Sequence, residues 1–409
     1  MIENPKTADI CKEPVLYSIL ENDLYKFSMS HYYQMINPLA TGKFAFKDRN
    51  NLVFTQEFVD ILRRAFKHLT ELHLTNQELD WCKINLPYIP QCYFEWLQGF
   101  SFNPDLINIW LDSEGHLQIE VQDLIYKVTL YEMPILSTVS EMYYRYKGYK
   151  VKDWAYIDEQ LARKAELSDS HQLKYANFGL RRRFSHQVED HVTDYLVHNS
   201  KYFVGSSTVS FAMKYQAVNP YFKPIGTMAH ELIMASGAMY GPREANYIVM
   251  RNWAHVYGGS LGVMLTDCFT TDVFLRNFSM DMAKLYDGVR HDSGDPFLFG
   301  DKMIEKYKSY NINPMTKSIV FSDALDFEKM VAINDYFKGR INLSFGIGTN
   351  LTNDCGYEPL NIVMKLVSFR VNPRQPELKC VKLSDVRGKE IGDPSEIDLY
   401  KRMLGISLS

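Results

Sequence analysis

The spacing of hydrophobic positions changes character near residue 150. Before it, helical and strand patterns are mixed. Ser18–Met35 brings Leu20, Leu24, Phe27 and Met35 near one face and predicts a helix. Thr41–Lys47 alternates Phe44 and Phe46 with polar neighbours, the period of a half-buried strand. A charged helix is predicted around Thr55–Leu72. Another begins at Thr75-Asn76-Gln77-Glu78, where a hydroxyl and a carboxylate three residues apart can cap each other's backbone. Leu106–Leu111 and Leu117–Val121 flank Asp112-Ser113-Glu114-Gly115 and predict a hairpin. Residues 1–150 are thus expected to form an α+β domain of sheet and helices.

After residue 150, short apolar runs recur, each ending in small or polar residues and each followed by a helical stretch. The runs end at Phe178, Val204, Ile225, Leu265, Val289, Phe321 and Ile347, separated by the length of one βα unit. Seven such units predict an α/β class and an irregular α/β barrel over residues 151–370, with residues 371–409 rejoining the first domain. A chain of 409 residues is too long for one ordinary core, which agrees with two domains.

Charge and cysteine usage narrow the function classes. A net charge of -4 argues against a nucleic-acid or membrane-surface partner. No segment approaches the ~20 apolar residues of a membrane span, and Glu3, Pro5, Asp9 and Glu13 stand where a leader would need an apolar core. The six cysteines are scattered without a CxxC pair, which fits reduced thiols in the cytoplasm better than disulfides or a zinc site.

In α/β barrels the chemistry gathers on the loops at the C-terminal ends of the strands. Those loops here carry Arg181, Ser206, Thr227, His230, Asp267, Arg290, Asp292, Ser293, Asp323 and Thr349, a concentration that points to an enzyme. In Gly226-Thr227-Met228-Ala229-His230-Glu231 a histidine sits on the first turn of a helix, where free N–H groups favour an anion such as a phosphoryl group. Taken alone, the same string is a Thr227 cap with a surface histidine. Asp267, closing an apolar strand, and Glu231 are the two candidates to orient His230. In Arg290-His291-Asp292-Ser293-Gly294-Asp295, Arg290 can grip a carboxylate in a fork. Asp292 can hold ribose hydroxyls or Mg²⁺ on a diphosphate, while Asp295, before Pro296, more simply starts a helix. Gly346, Gly348 and Thr349 form a candidate phosphate turn. Of Arg181-Arg182-Arg183, one or two can reach the site and the rest form a solvated basic face. Tyr25 and Phe178 can stack on a planar ring. No GxGxxG or P-loop is present.

Taken together and in order, END-LY from Glu21 to Tyr25, FGLRRRFS from Phe178, GTMAHE, LTDCFTTDVF, RHDSGDP, FSDALDFE and FGIGTNLTND resemble the nicotinate phosphoribosyltransferases. The resemblance runs from about residue 20 to about residue 370. It implies the type II phosphoribosyltransferase fold and synthesis of nicotinate mononucleotide from nicotinate and phosphoribosyl diphosphate, in NAD salvage, with coupled ATP hydrolysis and Mg²⁺. It further implies that ATP phosphorylates His230, and Asp267 and Asp292, from their place at the strand ends, are taken with it as the expected catalytic residues. Tyr25 and Phe178 would sandwich the pyridine ring, with Thr227 and Arg290 also at the nicotinate site. Asp23, Arg181, Asp292, Ser293, Asp323, Gly348 and Thr349 would lie near phosphoribosyl diphosphate, and no residue is assigned as a resident metal ligand. A homodimer with shared sites is implied, Asp23 and Tyr25 coming from the neighbouring subunit. The nearest alternative is the nicotinamide-using sister family. More remote are a barrel phosphosugar isomerase or lyase, for which no Lys or Glu base stands convincingly at a strand end, and a silent ligand-sensing dimer.

Overall fold

The computed structural model describes residues 10–386 and 388–407, so residues 1–9, part of the segment read for a leader, lie outside the described residues. β1 (Thr41–Asp48), β2 (Ile107–Leu111) and β3 (Leu117–Leu124) form the N-terminal part of an antiparallel sheet. The β2–β3 turn is set by Asp112, whose carboxylate accepts the N–H groups of Glu114 and His116, and by Gly115 at φ 85°. Thr55 caps the Gln56–Lys67 helix, which tightens into a 3₁₀ turn over His68–Glu71. Thr75 and Glu78 form the reciprocal capping box of the Asn76–Asn85 helix.

The first helix is shorter than its apolar periodicity suggests, running over Leu24–Ile36 only. Residues 20–24 are drawn instead onto the barrel. Leu24 N–H bonds the Ser207 carbonyl at 2.8 Å, while Val209 and Ser210 N–H groups bond the carbonyls of Asn22 and Leu20. Asn22 stabilises this extended stretch by accepting from Asp23 N–H and donating to the Leu130 carbonyl.

The seven expected strands all form: β4 (Tyr175–Asn177), β5 (Phe203–Ser206), β6 (Lys223–Pro224), β7 (Val263–Leu265), β8 (Gly288–His291), β9 (Ser318–Phe321) and β10 (Asn342–Ile347). They make one parallel sheet in the order β6-β5-β4-β10-β9-β8-β7. The curl is not closed by backbone pairing between β6 and β7. β6 is two residues long and contains Pro224, which has no N–H to offer a further strand. The Thr227 hydroxyl crosses the gap instead, donating to the Val263 carbonyl at 2.8 Å.

β11 (Ile362–Arg370) and β12 (Leu378–Lys379) complete the antiparallel sheet, in the order β12-β11-β1-β3-β2. The chain therefore leaves the barrel before residue 362, earlier than the boundary at residue 370 drawn from the sequence. All six cysteines are unpaired. Among the described residues no helix is long and apolar enough to cross a membrane.

The three consecutive arginines separate completely. Arg183 is fully buried rather than solvated, reversing the sequence expectation for it. Its guanidinium meets Glu21 at 2.5 Å, Glu189 at 3.2 Å and Glu141 at 3.7 Å, and donates to the Val15 carbonyl at 2.6 Å. This nest ties the N-terminal segment to two helices of the scaffold. Arg182 donates to Asn361, and Arg181 is half-buried at the barrel mouth. Removing the cation from among buried carboxylates is costly, so Arg183→Met is expected to lose about 3–5 kcal/mol of unfolding free energy in a urea titration. Arg181→Met should lose less than about 1 kcal/mol.

Candidate active site

The C-terminal ends of β7 and β8 and the start of the His230–Tyr240 helix converge on one histidine. Ala229 is extended and His230 opens the helix, so Thr227 is not its cap. Nor is His230 a surface residue, being only 5% exposed. Its Nε2 lies 2.9 Å from Asp267 Oδ1 and 3.6 Å from Asp292 Oδ2. Burial resists ionisation of Asp267, but Lys382 and His230 outweigh it and hold the carboxyl well below its usual range. An ionised Asp267 makes Nε2 the donor, leaving the lone pair of the neutral ring on Nδ1. Asp267 is therefore the orienting carboxylate. Glu231 turns the other way and pairs with Lys26, which also holds Glu132, in a buried triad.

Ligand atoms of His230, Asp267 and Asp292 fall within 4.8 Å of one another. Both Asp267 oxygens are already engaged, Oδ2 by the Ser293 hydroxyl at 2.7 Å and by Lys382 at 3.3 Å. The arrangement is a hydrogen-bonded histidine between two carboxylates. Ser293, 2% exposed, donates its hydroxyl to Asp267. Asp295 caps the Pro296–Ser309 helix by accepting from Phe297 and Leu298 N–H.

Arg290 stands beside this cluster at the end of β8, with its Nε buried and without a hydrogen-bond partner. It is the first positive charge acting on Asp292, where it and His230 overcome burial to keep the carboxyl below its usual range. Asp292 also accepts the Ser322 hydroxyl at 2.8 Å. Asp323, after β9, lies 3.6 Å from Lys389.

Phe178 follows β4, half-buried, with its N–H on the Ile347 carbonyl at 2.7 Å. A side chain on Gly346 would stand 2.3 Å from the Phe178 ring, so that glycine answers to the aromatic ring. Gly348 opens the Thr349–Thr352 turn beside the Phe178 carbonyl. Tyr25 lies across the mouth, its backbone against Gly226 and its hydroxyl 4.0 Å from Met133 Sδ. Asp23 accepts the Ser207 hydroxyl at 2.7 Å. Both residues lie against the barrel of their own chain.

Several charges at the mouth were not singled out in the sequence. Arg49, past the end of β1, is within electrostatic reach of Arg181, Asp292 and Asp323. Lys365, on β11, is pushed down to about 8 by burial and by the nearby positive charge of Lys382. Lys365 interrupts an apolar strand, Ile362-Val363-Met364-Lys365-Leu366-Val367, and that interruption was the available signal.

Comparison with known proteins now bears on the site. The nicotinate phosphoribosyltransferase (NAPRTase) family profile matches residues 173–407, and the profile of its N-terminal domain matches residues 20–140. A nicotinate phosphoribosyltransferase of Chromohalobacter salexigens is 40% identical over 394 residues, covering 96% of this chain and 99% of that one. The chain belongs to the nicotinate phosphoribosyltransferase family. It is an enzyme of that family, and the likeness extends to solved structures. A nicotinate phosphoribosyltransferase structure from Porphyromonas gingivalis superposes with a TM-score of 0.93 at 44% identity, covering 96% of this chain and 100% of that one. A Vibrio cholerae structure of the same description gives 0.90 at 29% identity, covering 99% and 97%.

Burial pushes the Asp23 carboxyl up to about 6, only partly offset by Ser207. A raised acid pKa means the folded state binds more protons, so Asp23 lowers stability as pH rises from about 4 to about 6. Asp23→Asn is therefore expected to stabilise the protein at pH 8 by about 2–3 kcal/mol, with the gain gone near pH 3. Urea titrations at the two pH values measure this.

Proposed function

We propose that the site converts nicotinate and phosphoribosyl diphosphate to nicotinate mononucleotide and diphosphate, with ATP spent through a phosphohistidine at His230. The single observation that carries the substrate reading is the Arg290 Nε beside the His230 cluster, a buried donor with no acceptor among the described residues. The nicotinate carboxylate supplies one, and a guanidinium fork suits it. Tyr25 and Phe178 are the aromatic faces assigned to the pyridine ring. Thr227, with its proton committed to Val263, can offer only lone pairs there. Arg181, Asp292, Asp323, Gly348, Thr349 and Asp23 are assigned to phosphoribosyl diphosphate, with Arg49 and Lys365 adding positive potential.

In the transfer step the pyridine nitrogen attacks C1 of the ribose while the C1–O bond to diphosphate breaks and diphosphate leaves with the electron pair. The nucleophile is neutral and already competent, so the protein's work is to align the ring and to stabilise leaving-group charge. Magnesium arrives with the diphosphate as part of the substrate and disperses that charge. In the ATP step, His230 Nδ1 attacks the γ-phosphorus and ADP departs with the electrons of the broken P–O bond. The phosphoryl group adds roughly -1.5 to -2 charges if it behaves like other phosphorylated residues, changing how diphosphate and the neighbouring loops bind. Unpaired cysteines support a reducing, cytoplasmic setting.

The defining experiment measures nicotinate mononucleotide formation with and without ATP, with nicotinamide in parallel. Product from nicotinate, increased by ATP, is expected. Product from nicotinamide alone would overturn the role given to Arg290. Losing a charge-assisted hydrogen bond to the substrate costs about 1.5–3 kcal/mol, so Arg290→Met should raise the nicotinate KM about 10- to 100-fold. His230→Asn should abolish ATP stimulation.

We also propose that one chain completes one site, because Asp23 and Tyr25 reach the barrel mouth of their own chain. Mixing inactive Tyr25→Ala protein with inactive His230→Asn protein should then restore no activity, whether or not the protein dimerises. Recovery of activity in the mixture would establish shared sites instead.

A further inference from the structure

Asp267 has no spare oxygen. Oδ1 takes His230 Nε2 at 2.9 Å, while Oδ2 takes the Ser293 hydroxyl at 2.7 Å and lies 3.3 Å from Lys382 Nζ. Lys382 comes from the C-terminal segment, far in sequence from the other members of the cluster. It opens a short hairpin closed by reciprocal backbone bonds with Ile391 at 2.8 and 2.9 Å. The hairpin is pinned to the barrel mouth. Leu383 N–H bonds the Cys268 carbonyl at 2.8 Å, the Ser384 hydroxyl bonds Ser293 at 3.1 Å, and Asp385 accepts the N–H and hydroxyl of Thr271. With its side chain only 8% exposed, the Lys382 ammonium is held at the carboxylate rather than free in solvent.

We propose that Lys382 is a positioning residue for the histidine step: its ammonium fixes Asp267 as an ionised acceptor and offsets that carboxylate's pull on the ring, so His230 stays neutral with a lone pair on Nδ1. The proposal rests on the reading that His230 receives the phosphoryl group. The charged and titratable groups facing the ring come from three directions. Asp267 follows β7, Asp292 follows β8 with Arg290 beside it, and Lys382 comes from the hairpin, while the Cys268 thiol points at the His230 carbonyl rather than the ring. Glu231, the next residue on the helix, is engaged by Lys26. Two carboxylates alone would draw a proton onto the imidazole and remove its nucleophile. Burial, and after it Lys382, oppose them and hold His230 below its ordinary range.

The test uses the full-length protein with isotopically labelled histidine. The His230 ring, assigned by comparison with His230→Asn, is titrated by NMR between about pH 5.5 and pH 8.5, around the ordinary imidazole midpoint. In parallel, acid-labile phosphoprotein formed from γ-labelled ATP is trapped at each pH. Lys382→Met is expected to raise the His230 midpoint by about one pH unit, the usual effect of losing a close charge. Phosphoprotein formation should fall as pH drops below the new midpoint, the loss approaching about tenfold below the wild-type midpoint. Lys382→Arg should keep both near wild type. Lys382→Gln, which keeps a donor of similar reach without the charge, carries the test if the Met variant does not fold. An unchanged midpoint in the folded neutral variants overturns the proposal. Wild-type protein that forms no phosphoprotein at any pH refutes the phosphohistidine reading instead, and the ring titration still decides what Lys382 does to His230.

Discussion

The buried carboxylate of Asp267 is the point on which the rest of the site depends. It is 1% exposed and holds groups from three separate parts of the chain: His230 at a helix start, Ser293 after β8 and Lys382 in the C-terminal hairpin. An ion buried this deeply is tolerated only when its lone pairs are filled. Each partner is thereby held by the need to satisfy Asp267, and the imidazole is fixed in tautomer and direction before any substrate arrives. Removing the carboxylate would leave an ammonium and a hydroxyl without their acceptor, so the cluster stands or falls as a unit.

Around that unit the mouth is crowded with like charges. Arg182 is pushed down to about 9 by burial and then by Arg181 and Arg49, and Lys365 is pushed down to about 8. On the other side, Asp23 is pushed up to about 6. These groups reduce the stability of the empty protein, a conflict between fold and function that is common at active sites. Anionic substrates relieve the cationic part of it. The Arg183 guanidinium, by contrast, is surrounded by three carboxylates inside the scaffold. Adjacent arginines of one sequence run therefore play opposite parts, decided by which carboxylates surround them.

Much of this architecture could be read in the sequence because strand ends are marked locally. Each barrel strand is a short apolar run stopped by a small or polar residue, and all seven runs became neighbours in one parallel sheet. The capping box at Thr75 and the hairpin at Asp112 were equally local. What local pattern could not supply was partnership across hundreds of residues. The helix predicted from Ser18 begins only at Leu24, because the carbonyls of Leu20 and Asn22 accept from Ser210 and Val209 rather than from the next turn of a helix. Ser293 was placed near phosphoribosyl diphosphate, and nothing local showed that its hydroxyl is taken by Asp267. Lys382 was invisible because nothing in Val381-Lys382-Leu383 announces a carboxylate just past β7 as its partner.

The same long-range bonds suggest how the ring site and the histidine are made to act together. The Leu24–Ile36 helix carries Tyr25 on one side, and on the next residue Lys26, whose ammonium joins Glu132 to Glu231. Glu231 directly follows His230, so any shift of the His230 helix pulls on the buried triad and on the helix bearing Tyr25. A second tie runs in parallel. The Ser28 hydroxyl donates to the Thr227 carbonyl at 2.6 Å, and the Thr227 hydroxyl donates to β7. Aromatic face, gap-spanning threonine and histidine thus share one rigid connection through buried charges and backbone. Such interiors move between packed arrangements rather than deforming smoothly. A charge added at His230, as the proposed phosphohistidine would supply, would reach the helix bearing Tyr25 through the Lys26 triad, without a signal crossing solvent.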